Sequence, residues 1–272
     1  DVFLGNGLYK GRFGFVGQSG ENIYGDKFAL LCEIIIDFED GTSILVSSDE
    51  TWRARKSKVI DSNIYDGELY DATFNDPTIY DVKEIDLGFD RLKPRLSLPV
   101  KIKDRLKPVE VITTPAGEAV LDLGQNMVGW MEFKTNAPKG TEITLQHGEI
   151  LQDGNFYRDN LRTAKAEFKY IADGEEAIVR PHFTYYGFRY VKVSGWHGDV
   201  NVDDFTGCVL YSDMEQTGYI ETSNPLVNKL FSNALWGQKG NFLDVPTDCP
   251  QRDERMGWTG DAQVFSGTAS FN

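Results

Sequence analysis

Apolar and polar residues alternate with a period of two through most of this chain, and that period is compatible only with extended strands that bury one face. The clearest run sets Cys32, Ile34, Ile36 and Phe38 against Glu33, Ile35 and Asp37, and ends at Asp40-Gly41. Ser43 to Val46 supplies a returning strand, and the Asp-Gly pair suits the positive φ of a tight turn. Met131 and Phe133 oppose Glu132 and Lys134, and Ile143, Leu145 and His147 are separated by polar residues. Ala166, Phe168 and Tyr170 lead into Asp173-Gly174, and Val191 and Val193 into Gly195. Short strands at this spacing predict a β-sandwich architecture.

Pro94 and Pro99 interrupt the pattern and separate two β-rich blocks. With 272 residues, two or more domains are expected. Near Thr217 the period changes. Ser223 is placed to cap a helix with Pro225 in its first turn, and Leu226, Leu230 and Leu235 fall on overlapping faces. Gly240 and Pro246 end it, and a second helical stretch is predicted from about Thr259 through Val264 and Phe265. Two such helices have nothing to bury their apolar faces against, so a larger helical domain, cut short here, is expected.

Charge narrows the partners. A formal charge of -14 argues against nucleic acid, which is met by clustered Lys and Arg, and leaves neutral partners such as sugars open. The one dense basic stretch, Lys101 to Lys107, reads as a strand edge or solvated linker. No apolar run is long enough to span a bilayer, so no membrane partner is expected. Cys32, Cys208 and Cys249 are too few and too scattered for a disulfide framework or a zinc set. No leader with a charged start and apolar centre is visible, which leans toward the cytoplasm while leaving compartment and oligomeric state open.

The densest polar constellation runs from Asp248 to Asp261 between the two predicted helices: Asp-Cys-Pro-Gln-Arg-Asp-Glu-Arg-Met-Gly-Trp-Thr-Gly-Asp. Its prolines and glycines impose irregular backbone, and loops on a rigid scaffold concentrate functional groups. Cleaving a glycosidic bond takes an acid for the departing oxygen and a second carboxylate acting on water or on the sugar carbon. Asp248, Asp253, Glu254 and Asp261 are candidates, and crowding them raises the pKa of at least one. Trp258 offers an apolar face to a sugar ring and Arg252 donors to its hydroxyls. The same residues equally describe an acidic surface loop paired to Arg252 and Arg255, and their chemistry alone selects neither the reaction nor the acid.

The string Asp244-Val245-Pro246-Thr247-Asp248-Cys249-Pro250-Gln251-Arg252-Asp253-Glu254-Arg255, with Gly257-Trp258-Thr259-Gly260-Asp261, closely resembles the signature of bacterial α-L-rhamnosidases. Gly5 to Gly11, Ile64 to Glu68, Asp122 to Asn126 and Tyr185 to Tyr190 add to the resemblance, which extends over essentially the whole chain. It implies a mainly β chain of two β-sandwich-type domains, 1–98 and 99–212, followed at 213–272 by a helical linker and the start of a truncated (α/α)6 barrel. It also implies hydrolysis of terminal α-L-rhamnose from glycosides or polysaccharides with inversion. Glu254 is then the general acid and Asp248, Arg252, Trp258 and Asp261 surround the sugar, while the general base lies beyond this chain. No cofactor and no metal is expected. The alternative from another class is a carbohydrate-binding or structural β-sandwich module without catalysis.

Other residues have plainer readings. Asp61, Asn63, Tyr65, Asp66, Glu68 and Tyr70 form an acidic, aromatic patch that reads as a loop packed on a neighbouring domain rather than a calcium site. His147, His182 and His197 read as structural, and Trp52, Trp130, Trp196 and Trp236 as core or domain-contact residues. The Gly-rich start lacks the Lys-Ser/Thr ending of a phosphate loop.

Overall fold

The computed structural model describes residues 1–14, 20–90 and 92–272. A short helix α1 (Gly7–Lys10) precedes a hairpin of β1 (Glu33–Asp37) and β2 (Ser43–Ser47). Then come β3 (Arg53–Ala54), β4 (Val59–Asn63), β5 (Gly67–Asp71) and β6 (Tyr80–Asp81), with β3 pairing β6. The second block holds β7 (Val100–Leu106), β8 (Glu110–Thr113), β9 (Ala119–Thr135), β10 (Glu142–Gly148), β11 (Ile150–Gln152) and β12 (Asn155–Tyr157). It continues with β13 (Glu167–Ile171), β14 (Ala177–Val179), β15 (Tyr186–Ser194) and β16 (Phe205–Ser212). Helix α2 (Pro225–Asn241), the small pair β17 (Phe242–Leu243) and β18 (Val245–Pro246), and helix α3 (Gly260–Phe271) end the chain's elements. The chain is thus mainly β, followed by a helical segment, as its periodicity predicts.

Ten strands form one sheet in the order β4-β5-β13-β10-β15-β9-β16-β7, with β8 and β14 also pairing β9. Inward residues are those the alternation marks: Met131, Phe133, Ile143, Leu145, Phe168 and Tyr170 are buried, while Glu132 and Lys134 are not. Phe133 packs edge-on against Tyr170 at 6.0 Å and against Trp196 at 5.9 Å, at the centre of the core. Such aromatic pairs add directional preference to the burial of apolar area.

The two β-rich blocks share this sheet, because β5 pairs β13 in parallel and brings the β4–β5 hairpin to the sheet's end. Gly67 permits the join: its φ is +117°, and a Cβ there would lie 1.7 Å from the Glu167 carbonyl oxygen. The acidic, aromatic patch read as a packed loop is this hairpin. Glu68 is fully buried, and its carboxylate accepts from the backbone N–H groups of His182 and Phe183, each at 2.9 Å.

The β1–β2 hairpin forms as expected, with Gly41 at φ +83° in its turn. Its alternation does not sort inside from outside, however, since Ile34, Ile35, Ile36, Ile44 and Leu45 are all exposed. The basic stretch is a strand edge, β7 at the end of the sheet, and three of its four cations meet carboxylates. Lys101 and Lys103 each reach Asp213 at 2.5 Å, and Arg105 reaches Glu132 at 2.8 Å.

Helix α2 is capped by Asn224, one residue after the expected Ser223, because the Asn224 side chain accepts the Leu226 N–H at 2.9 Å. Leu226 and Leu230 on α2 and Val264 on α3 are exposed, so these helices leave apolar faces uncovered among the described residues. Their ends meet through Asn272, whose amide donates to Gln238 Oε1 at 2.8 Å. Among the described residues, no helix is long and apolar enough to cross a membrane.

Candidate active site

Between β18 and α3 the chain reverses sharply. Asp248, Arg255 and Gly257 take φ values of +63°, +53° and +67°, a concentration of left-handed backbone that is maintained only where the surroundings over-determine it. Those surroundings come from distant parts of the chain.

Arg255 anchors the loop. It is buried, donates from Nη1 to the carbonyls of Ile64 at 2.5 Å and Tyr185 at 2.9 Å, and lies over the Tyr185 and Tyr65 rings at 4.8 and 5.5 Å. Burial pushes its guanidinium below the ordinary arginine value, opposed by the surrounding tyrosines. The Tyr65 hydroxyl donates to the Glu254 carbonyl at 2.7 Å and accepts the Gly14 N–H at 3.3 Å. Asn63 fixes the hairpin turn that carries Tyr65, its side-chain oxygen accepting the Tyr65 N–H at 2.9 Å.

A third segment, after the 3₁₀ turn Asp159–Leu161, closes the other side. Thr163 accepts from Arg12 and donates to Asp253, both at 2.6 Å, while Arg12 also pairs with Asp66 at 2.9 Å. Arg162 donates from Nη2 to Glu254 Oε2 and sits 3.7 Å from buried Asp253 through Nε.

At the centre, Glu254 is buried and its Oε2 also accepts from Arg252 Nε at 2.9 Å. Burial alone would raise this carboxyl; the hydrogen bonds from Arg252 and Arg162 outweigh it and hold Glu254 below the ordinary glutamate value. The crowded carboxylates do raise one of their number, but it is Asp248. Burial, its hydrogen bond with Asp261 and the nearby Glu254 all disfavour charge there. Asp261 itself is exposed in the first turn of α3. Trp258 is half-buried in the same loop, its backbone N–H held by the Pro246 carbonyl at 2.9 Å.

The structure therefore brings Asp248, Arg252, Glu254 and Asp261 into one cluster and places Trp258 on the loop that carries them. Sequence reasoning missed Arg162, Thr163 and the hydroxyl of Tyr65. Arg162 and Glu254 are 92 residues apart, and nothing in the composition around Arg162 marks it.

Asp248, Cys249 and Glu254 place potential ligand atoms within 4.8 Å of one another. The donor set suits a metal poorly. Burial pushes the Cys249 thiol up to about 11 despite Arg252, and Glu254 is already engaged by two guanidiniums. Beside the loop, a cleft of about 390 Å³ opens between β9 and α2, lined among others by Asn126, Glu149, Trp236, Asn241 and Gln251. Asp248 is the member of the cluster that reaches it.

Three family models match consecutive parts of the chain. The α-L-rhamnosidase N-terminal domain covers residues 1–104, the bacterial α-L-rhamnosidase concanavalin-like domain 112–211, and the bacterial α-L-rhamnosidase six-hairpin glycosidase domain 215–272. The chain is 39% identical to an α-L-rhamnosidase of Streptomyces avermitilis over 99% of its own length and 27% of the relative's. An α-L-rhamnosidase of Formosa agariphila is also 39% identical, over 100% of this chain and 31% of that protein. Among solved structures, native α-L-rhamnosidase from Aspergillus terreus superposes with a TM-score of 0.90 at 40% identity, over 97% of this chain and 32% of that one. The S. avermitilis enzyme complexed with L-rhamnose gives 0.88 at 39% identity, over 97% and 27%. The chain thus spans about a third or less of its relatives' length. With its strand-then-helix order and its signature loop matched along essentially their whole extent, the chain belongs to the bacterial α-L-rhamnosidase family, of which it carries the N-terminal part.

Proposed function

We propose that this chain is the front part of an inverting α-L-rhamnosidase that releases terminal α-L-rhamnose from glycosides or polysaccharides, with Glu254 as the general acid. The observation that carries the reading is the burial of Glu254 at the centre of Asp248, Arg252 and Asp261 in the signature loop. A relative crystallised with L-rhamnose supports the substrate class. Asp248, Arg252, Trp258 and Asp261 are assigned to the sugar, whose hydroxyls meet carboxyl and guanidinium groups and whose ring meets the indole.

With two guanidiniums donating to it, Glu254 is held below the ordinary glutamate value and is ionised at neutral pH. A sugar hydroxyl that recruits Arg252 removes one of those donors and expels water. Both changes favour the protonated carboxyl. Inversion needs a second carboxylate to activate water from the opposite face, roughly 6.5–9.5 Å from the first. That base is assigned to the part of the enzyme outside the 27–32% of its relatives that the chain covers. The division of the chain into two β-sandwich-type domains, 1–98 and 99–212, and an opening barrel segment, 213–272, is proposed on the same grounds.

The test is rhamnose release by the gene's full-length product, with Glu254 intact and changed to Gln, beside the 272-residue chain. The carboxamide keeps the shape but donates no acidic proton, so a general acid loses roughly 10²–10⁴ in rate on unactivated rhamnosides and far less on aryl rhamnosides with good leaving groups. The 272-residue chain is expected to show no turnover. Glu254→Gln acting as fast as the parent on every substrate would refute the assignment, and rhamnose binding without turnover in the full-length product would favour a glycan-binding module.

A further inference from the structure

We infer that the Arg162–Thr163 corner is a clamp that positions the proton donor, with Arg162 acting on Glu254 as a positioning residue. The inference rests on the reading of Glu254 as general acid and extends the site to a residue outside the signature loop.

The geometry has three parts. Two consecutive residues of the corner meet two consecutive residues of the loop: Thr163 Oγ1 donates to Asp253 Oδ2 at 2.6 Å, and Arg162 donates to Glu254 Oε2. Arg162 spans both carboxylates, since its Nε is also 3.7 Å from Asp253 Oδ1, and Asp253 is fully buried. Arg162 holds φ +57° and ψ -114°, a conformation that residues with a Cβ rarely adopt, immediately after the 3₁₀ turn. A purely structural tie between corner and loop is already made by Thr163 and Asp253. The unfavourable backbone is therefore explained by what it aims, a guanidinium at the carboxyl oxygen that Arg252 also holds.

The charges around Glu254 make this contact consequential. From its own loop Glu254 faces Arg252, Asp248 and Cys249, and Asp261 of α3 adds to the cluster through Asp248. Asp253 precedes it in sequence, Arg255 points away to the Ile64 and Tyr185 carbonyls, and Tyr65 meets its backbone oxygen. Among the described residues, the cations on the carboxyl itself are thus Arg252 and Arg162. Of these, Arg252 is assigned to the substrate, so Arg162 is the fixed one. It orients the carboxyl and sets how readily it takes up a proton.

The experiment measures kcat/KM against pH for the gene's full-length product with Arg162→Gln, Arg162→Lys and Glu254→Gln. The alkaline limb of kcat/KM reports loss of the acid's proton in the free enzyme. Without the Arg162 charge Glu254 keeps its proton to higher pH, so Arg162→Gln is expected to move the alkaline limb up while leaving the acidic limb, set by the base, in place. Arg162→Lys retains the charge and is expected to keep the limb near its parent position, which also preserves the test should Arg162→Gln fold poorly. An Arg162→Gln enzyme whose alkaline limb is unmoved, whatever its rate, overturns the inference. So does an Arg162→Lys enzyme displaced as far as Arg162→Gln. Glu254→Gln separates the two layers. If it slows unactivated substrates while the limb stays fixed in Arg162→Gln, only the clamp is wrong; if it slows nothing, the acid assignment and the clamp fall together.

Discussion

Replacing Tyr65 by Phe tests whether the signature loop depends on groups far from it in sequence. The substitution keeps the ring, and with it the contacts to the Arg12 and Arg255 guanidiniums at 5.3 and 5.5 Å. What disappears is one oxygen that donates to the buried Glu254 carbonyl at 2.7 Å and accepts the Gly14 N–H at 3.3 Å. A net hydrogen bond contributes about 1 kcal/mol, and leaving a buried carbonyl unpaired costs about 1–3 kcal/mol, so roughly 2 kcal/mol of destabilisation is expected. The long Gly14 contact adds little. Because the two β-rich blocks share one sheet, they unfold as one cooperative unit, for which this corresponds to a fall in Tm of roughly 4–8 °C, read by thermal unfolding in the near-ultraviolet. Tyr219→Phe is the control: its hydroxyl bonds the Gln216 carbonyl at 3.2 Å in an exposed position, and its loss is expected to stay within about 0.5 kcal/mol. Equal melting of the two variants would show that the Tyr65 hydroxyl does not fasten the loop.

Two further outcomes follow from single residues. His147 is fully buried, stacked on Tyr186 at 3.9 Å, and burial lowers its imidazole to about 3 despite a bond to the Ala166 carbonyl. Between that value and the ordinary 6.5 the unfolded chain binds the extra proton and the folded one does not, so this contribution to stability is complete above pH 6.5 and is lost as pH falls toward 3. Melting temperature against pH for the parent and for His147→Phe checks it, and an acid slope that survives unchanged in the variant would rule His147 out as its source. Gly67→Ala places a Cβ 1.7 Å from the Glu167 carbonyl oxygen at a φ of +117°, and is expected to cost about 3 kcal/mol or more by unzipping β5 from β13. Hydrogen exchange should then accelerate across Gly67–Asp71 and Glu167–Ile171 while β9 and β15 stay protected; retained protection in those two strands would contradict it.

Local rules of backbone and burial carried much of the fold from the sequence. Period-two runs such as Met131 to Lys134 and Ile143 to His147 lie on strands with the marked residues inward, and Pro225 opens the first long helix. Rules that depend on partners did not transfer. The alternation at Cys32 to Phe38 predicted a hairpin, and the hairpin forms, yet which face is covered depends on what packs there, and both faces are exposed. The cap of α2 moved from Ser223 to Asn224 because either side chain satisfies the same donor and only the backbone path selects one. The site divides in the same way. Residues of the contiguous signature, Asp248 to Asp261, were legible because the motif is local, whereas Arg162, Thr163 and the Tyr65 hydroxyl act across 90 to 189 residues and leave no periodic or compositional trace.

That division bears on how such a site is controlled. The loop's own sequence supplies carboxylates and the Arg252 guanidinium on Glu254, but its conformation is fastened by β4–β5, and the corner before β13 adds a second guanidinium to the same carboxyl. Arg255 buries a guanidinium against carbonyls of Ile64 and Tyr185 rather than against a carboxylate, so its bonds fix backbone position without neutralising any acid of the cluster. Arg162 does the reverse, offering charge to the one carboxyl proposed to move a proton. Anchoring and tuning are therefore carried by different arginines on different sides of the loop. On the proposed reading, Arg252 connects them: together with Arg162 it holds Glu254 ionised, and when it turns to a sugar hydroxyl it withdraws that support as water leaves. On that same reading, the event that seats the sugar also readies the acid, while Arg162 stays on the carboxyl.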